Sequence, residues 1–202
     1  MDIAEQTTES QSDASSIRPA KLAHVVMRTN ERFEEMVRWY LHVLNAQCVH
    51  KDDNLAFLTY DGEHHRVAIA RVPEMVDRPS GTVGVDHVAF TFAALDHLLL
   101  TYERLAEDGI EPILSINHGA TTSIYYEDPD RNRIELQVDN FVDFDAFAQF
   151  LESGAMKRNP IGVAFDPAAK LKAMRDGTPA ADLQRYDEDQ LDPAIMGVLA
   201  AN

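Results

Sequence analysis

Two segments of this chain repeat one design 63 residues apart, each opening on a strand that carries a single histidine: Leu22-Ala23-His24-Val25-Val26 and Val85-Asp86-His87-Val88-Ala89. The second copy closes on Arg133-Ile134-Glu135-Leu136-Gln137. A duplicated unit must bury the same apolar face twice, so the chain is expected to build two similar modules around a common core. Two histidines and one carboxylate on strands also form the ligand set of a facial triad, which holds a divalent metal and leaves coordination positions open. A metal-dependent enzyme is therefore the leading expectation.

Periodicity extends the repeat beyond its histidines. Residues 21–28 read as a strand, and Asn30 as the N-cap of a helix whose buried face is Phe33, Met36, Val37, Tyr40, Leu41 and Leu44. Three strands follow at 47–50, 55–60 and 64–72, separated by Lys51-Asp52-Asp53-Asn54 and Asp61-Gly62-Glu63. After a Pro/Gly-containing linker at 73–84, the second pass reads as a strand at 85–92, a helix at 94–108 stopped by Gly109, and strands at 111–116, 122–126 and 133–138. Both passes are βαβββ. The expected fold is α+β, with two tandem βαβββ modules (20–73 and 84–140) curving a sheet around a metal-centred cavity. A leader at 1–19 is expected to be disordered, and 141–202 to form a helical extension on the outside, with segments at 144–151 and 168–174.

Strand alternation decides which side chains can meet. Leu22, His24 and Val26 share one face, as do Val85, His87 and Ala89. Ile134, Leu136 and Val138 form the apolar face that should meet a helix, which turns Arg133, Glu135 and Gln137 the other way. Both histidines are expected mid-strand on helix-free faces, where Glu135 can join them. A buried lone carboxylate is costly unless it is paired or binds a metal.

Composition bounds the alternatives. The 202 residues have 45% apolar content and no run approaching the ~20 apolar residues a bilayer span requires. A formal net charge of −16 repels phosphate backbones, which argues against nucleic acid as a partner. Met1 to Ser16 lacks the basic start and apolar core of a secretory signal, so cytoplasm is the expected location. The single cysteine, Cys48, excludes an internal disulfide and reads as a buried strand residue. An acidic chain with a peripheral tail suits a homo-oligomer.

The paired modules, the strand histidine of each, and the run Tyr125-Tyr126-Glu127-Asp128-Pro129-Asp130-Arg131-Asn132-Arg133-Ile134-Glu135-Leu136 resemble the vicinal oxygen chelate superfamily, which includes glyoxalase I, extradiol dioxygenases and antibiotic-resistance proteins. The likeness spans about Lys21 to Phe141 and is strongest to type I extradiol ring-cleavage dioxygenases with a single pair of modules. Arg131 stands where the family pattern has glycine, a departure in a turn and not in a ligand.

The resemblance implies that His24, His87 and Glu135 are metal ligands and that the metal is Fe(II), with Mn(II) as the alternative. It implies an acid-base histidine in the pair His64-His65. His65 is preferred because alternation groups it with Val67 and Ile69 and sends His64 with Arg66. Tyr125, ten residues before Glu135, matches a substrate-binding tyrosine, and His118 a second active-site histidine. The implied substrates are a small aromatic diol and O2. A glyoxalase-like lyase or isomerase, and a non-catalytic drug-binding protein, are the alternative readings. The first module closes on Val67-Ala68-Ile69-Ala70-Arg71-Val72 without a carboxylate, which favours three protein ligands over the four typical of glyoxalases. His42, His50 and His97 are read as surface residues.

Overall fold

The computed structural model describes residues 17–79 and 81–187. Most of the expected leader lies outside them, as does the end of the tail. The first βαβββ unit consists of β1 (Val25–Thr29), α1 (Phe33–Val43), β2 (Gln47–Lys51), β3 (Leu55–Thr59) and β4 (Val67–Arg71). The second repeats it with β5 (His87–Thr91), α2 (Leu95–Glu107), β6 (Leu114–Asn117), β7 (Thr121–Glu127) and β8 (Arg133–Asp139). The extension adds α3 (Phe144–Glu152), α4 (Ala155–Arg158), β9 (Val163–Ala164), α5 (Pro167–Arg175) and α6 (Ala180–Leu183). The expected α+β architecture is what forms, and no helix among the described residues is long and apolar enough to cross a membrane.

Each unit makes its own sheet, in the orders β1-β4-β3-β2 and β5-β8-β7-β6-β9. In both, the first strand runs parallel to the last, with Val25 opposite Val67 and His87 opposite Arg133. The crossover this requires is supplied by the helix. Phe33, Met36, Val37, Tyr40 and Val43 of α1 and Leu95, Leu98, Leu99 and Leu105 of α2 are buried in one core with Val67, Ile69, Ile134 and Leu136. Each such side chain contributes about 1.5–3 kcal/mol through burial. Arg104 of α2 also donates to the carbonyls of His42 (2.7 Å) and Val43 (3.3 Å) at the end of α1. A cation there answers the helix dipole and satisfies terminal carbonyls.

The turn between β7 and β8 joins the units more tightly. Asp128 is 3% exposed, and its carboxylate accepts from Tyr40 Oη (3.0 Å), Asn132 Nδ2 (2.8 Å) and the backbone N–H groups of Asp130 (2.9 Å) and Asn132 (2.8 Å). Arg131 adopts φ 63° within this turn, the left-handed conformation for which the family pattern uses glycine. Arg32 bridges Asp130 and Asp77, tying the start of α1 to both the turn and the linker.

Several local expectations are corrected. The first strand starts at Val25, so His24 lies just before it, and His87 opens β5; neither histidine is mid-strand. Asn30 does not cap α1. Arg32 holds the N-cap position without a side-chain cap, while Asn30 Nδ2 donates to the Met75 carbonyl (3.3 Å) and to Asp77 (3.1 Å). Cys48 is exposed, because β2 is an outer strand whose five residues all face solvent. The extension is not purely helical: β9 adds to β6, pairing Val163 with Asn117 and Ala164 with Ile116. Gly109 behaves as expected, ending α2 with φ 75°.

Candidate metal and diol site

The alternation in β8 is realised as expected: Ile134 and Leu136 are fully buried, and Arg133, Glu135 and Gln137 take the other face. Glu135 sits opposite Ala89 of β5 and Tyr125 of β7, so the central strand brings its carboxylate between both neighbours. It is only 5% exposed. His87 Nε2 lies 3.1 Å from Glu135 Oε2, and His87 Nδ1 lies 2.6 Å from Asp86 Oδ2. The second contact orients the ring and leaves Nε2 aimed at the carboxylate.

Electrostatics bind the two groups to each other as a pair. Burial pushes the Glu135 carboxyl up, but hydrogen bonds from His87, Ser123 and Tyr125 outweigh burial and hold it below its ordinary value. The hydrogen bond to Glu135 raises His87 above its ordinary value, against burial and with help from Asp86. Tyr125 is pushed far upward by burial and by the Glu135 charge, so its phenol stays protonated. Its hydroxyl lies 2.9 Å from His118 Nε2, and the Ile161 carbonyl contacts His118 Nδ1. Burial lowers His118 despite that carbonyl, which favours the neutral ring.

The other sheet carries a second cluster. The His24 and His65 rings lie 4.2 Å apart between centroids, and His65 stacks on Phe57 at 4.3 Å and 10°. His64 Nδ1 lies 2.6 Å from His65 Nδ1, while the His64 side chain is 67% exposed. Burial and the neighbouring His24 and His64 lower the His65 pKa. The alternation used to select His65 is corrected, since Val67 and Ile69 are fully buried under α1. His65 precedes β4 and escapes its alternation, which places it over Phe57 beside His24.

Thus His87, Glu135, Tyr125 and His118 are connected, whereas His24 and His65 group separately. Among the described residues, no three His, Cys, Asp or Glu side chains gather as a metal-holding group. The donor chemistry nevertheless fits a divalent cation: an imidazole nitrogen and a buried, ionised carboxylate oxygen converge, and burial of that oxygen is costly unless a positive charge offsets it. The open edges of β1 and β5 flank a cavity of about 850 Å³, closed on one side by the linker and reached by His87 and Arg133. That volume suits a small aromatic ligand.

Sequence reasoning missed three contributors. Ser123 was legible by period two, since it lies on the same face of β7 as Tyr125. Asp86 adjoins a candidate ligand in sequence. The Ile161 carbonyl carried no signal, because a backbone oxygen is common to every residue type.

A family model described as the Glyoxalase/Bleomycin resistance protein/Dioxygenase superfamily matches residues 21–136. Biphenyl-2,3-diol 1,2-dioxygenase 2 of Rhodococcus globerulus is 46% identical over 160 residues, covering 79% of this chain and 84% of that protein. Biphenyl-2,3-diol 1,2-dioxygenase 3 of the same organism is 41% identical over 165 residues, covering 81% and 86%. A glyoxylase/bleomycin resistance protein/dioxygenase domain from Frankia sp. EAN1pec superposes with a TM-score of 0.52 at 17% identity, covering 60% of this chain and 93% of that one, a likeness of fold. With the duplicated units, the parallel pairing of first and last strands and the match over most of both, the chain belongs to the Glyoxalase/Bleomycin resistance protein/Dioxygenase superfamily.

Proposed function

We propose that this protein is an extradiol dioxygenase that opens the ring of a catechol-type diol beside its two hydroxyls, adding both atoms of O2 and consuming no reductant. The observation that carries this reading is the identity of 46% and 41% to two biphenyl-2,3-diol 1,2-dioxygenases over most of the chain. The connected set His87, Glu135, Tyr125 and His118 supports it. His87 and Glu135, with His24 as the third ligand that the family resemblance implies, would hold Fe(II), which would supply a path for electrons from the diol to dioxygen.

The remaining chemistry belongs to this chain. His65, its pKa lowered and its ring held on Phe57, takes a proton from a diol hydroxyl and later returns it to the opening product. Tyr125 keeps its phenolic proton, and its hydroxyl oxygen accepts a hydrogen bond from a diol hydroxyl. His118 accepts a hydrogen bond at Nε2 and orients that oxygen.

The test is product identification. Incubation with 2,3-dihydroxybiphenyl in air should yield the yellow oxo acid from cleavage beside the diol, identified by NMR. A dicarboxylic acid from cleavage between the hydroxyls, or unchanged diol with metal bound, contradicts the proposal. His65→Gln should retain metal while turnover falls about 10²- to 10⁴-fold, the range expected for loss of a proton-transfer group. Metal analysis beside steady-state rates checks both halves of that expectation.

A further inference from the structure

The family match ends at residue 136, yet the chain beyond it reaches back into the site. Asn159, in the turn after α4, is 2% exposed. Its Oδ1 accepts from the N–H groups of Ile161 (3.3 Å) and Gly162 (2.9 Å), and its Nδ2 donates to the Gly162 carbonyl (2.9 Å). Tyr186 Oη donates to the Asn159 carbonyl at 3.0 Å. One buried amide thus closes the turn on itself.

The closed turn lies against the backbone that carries His118. Gly162 has φ 119°, and a Cβ there would lie 2.4 Å from the Asn117 carbonyl oxygen and 2.9 Å from His118 Cα. Just beyond, Val163 pairs with Asn117 as β9 joins β6. This approach directs the Ile161 carbonyl onto His118 Nδ1.

We infer that the Asn159–Gly162 turn of the extension is a positioning element that locks His118 in its Nδ1–H tautomer and presents Nε2 as an unprotonated acceptor to Tyr125. A carbonyl oxygen can only accept, so Nδ1 must carry the proton; a neutral imidazole then has its lone pair on Nε2. Nε2 lies 2.9 Å from the Tyr125 hydroxyl, which has one proton and two acceptors within reach, His118 and Glu135. The tautomer makes His118 an acceptor that competes for that proton with the Glu135 carboxylate, which His87 and Ser123 also reach. Asn159 acts through Ile161 and His118, so it is a positioning residue. The inference rests on the placement of His118 in the catalytic site.

The experiment is long-range ¹H–¹⁵N NMR of the full-length, histidine-labelled chain without added metal or diol, with His118→Asn used to assign the signal. Wild type should show Nδ1–H at His118. Asn159→Ala should lose that form, and Asn159→Asp, which keeps the acceptor for both N–H groups, should retain it. Steady-state rates should then show kcat reduced about 10- to 100-fold in Asn159→Ala, the range for a group that orients an active-site residue, with KM changed less than about twofold and kcat largely restored in Asn159→Asp. A wild-type ring in any other form overturns the inference, a result that does not depend on any variant folding. Persistence of Nδ1–H in folded Asn159→Ala also overturns it. Because the tautomer is read without turnover, inactivity of wild type toward diols would refute the dioxygenase reading and leave the positioning result intact.

Discussion

Glu135→Ala is expected to remove the divalent metal and to lower ring-cleavage turnover by on the order of 10³-fold, equivalent to about 4 kcal/mol of barrier at 1.36 kcal/mol per decade. Glu135 is the residue at which the second unit converges: it contacts His87 at 3.1 Å, has Ser123 and Tyr125 within hydrogen-bond reach, and is buried between β5 and β7. Alanine removes the one anionic donor and leaves two imidazoles, a neutral set with far weaker hold on a divalent ion. Glu135→Gln separates charge from shape: it keeps the volume and one oxygen acceptor but loses the negative charge, and it should also lose metal. Metal per chain, measured after gel filtration with wild type alongside, checks the prediction; full occupancy in both variants would remove Glu135 from the ligand set.

Asp128→Ala should have the largest effect on stability, about 3–5 kcal/mol, the cost of breaking a buried charged network from one side. Four donors converge on that carboxylate, two from the backbone, one from Asn132 and one from Tyr40 of the other unit. Burial pushes the Asp128 carboxyl above its ordinary value, against the pull of those donors. Alanine would strand a buried tyrosine hydroxyl and release the turn that holds Arg131 at positive φ. Asp128→Asn keeps one acceptor and should cost less than alanine. For a chain of this size, the alanine variant should melt roughly 6–20 °C lower. A shift within about 1 °C would show that the turn is held by other contacts.

What could be read from the chain alone follows from where the determining physics lies. The β8 alternation was legible because Ile134, Leu136 and Val138 bury locally, and burying them forces Glu135 to the opposite face. The two helices were legible from the spacing of Met36, Val37 and Tyr40 and of Leu95, Leu98 and Leu99. Cys48 was misread because strand order exposes β2, and strand order is a property of the whole sheet. Asn30 had a good cap's chemistry but found partners in Met75 and Asp77, 45 and 47 residues away. Two-residue β9 has too little sequence to announce itself, and it forms because β6 offers an open edge. Among the candidate site residues, His87, Glu135, Tyr125 and His118 form one network, and His24 and His65 form the other. Alternation does not place His65, since β4 begins at Val67 and the chain before it is irregular.

Metal-dependent oxygen consumption tests the central claim most directly. The full-length chain, stripped of metal and reloaded anaerobically with graded Fe(II), is mixed with 2,3-dihydroxybiphenyl and air while dissolved oxygen and the yellow product are followed together. One O2 consumed per diol opened, at a rate rising in proportion to bound Fe(II), is the predicted result. Equal turnover by the stripped chain, or an Fe(II)-loaded chain that consumes no oxygen with this diol or with catechol, would contradict it.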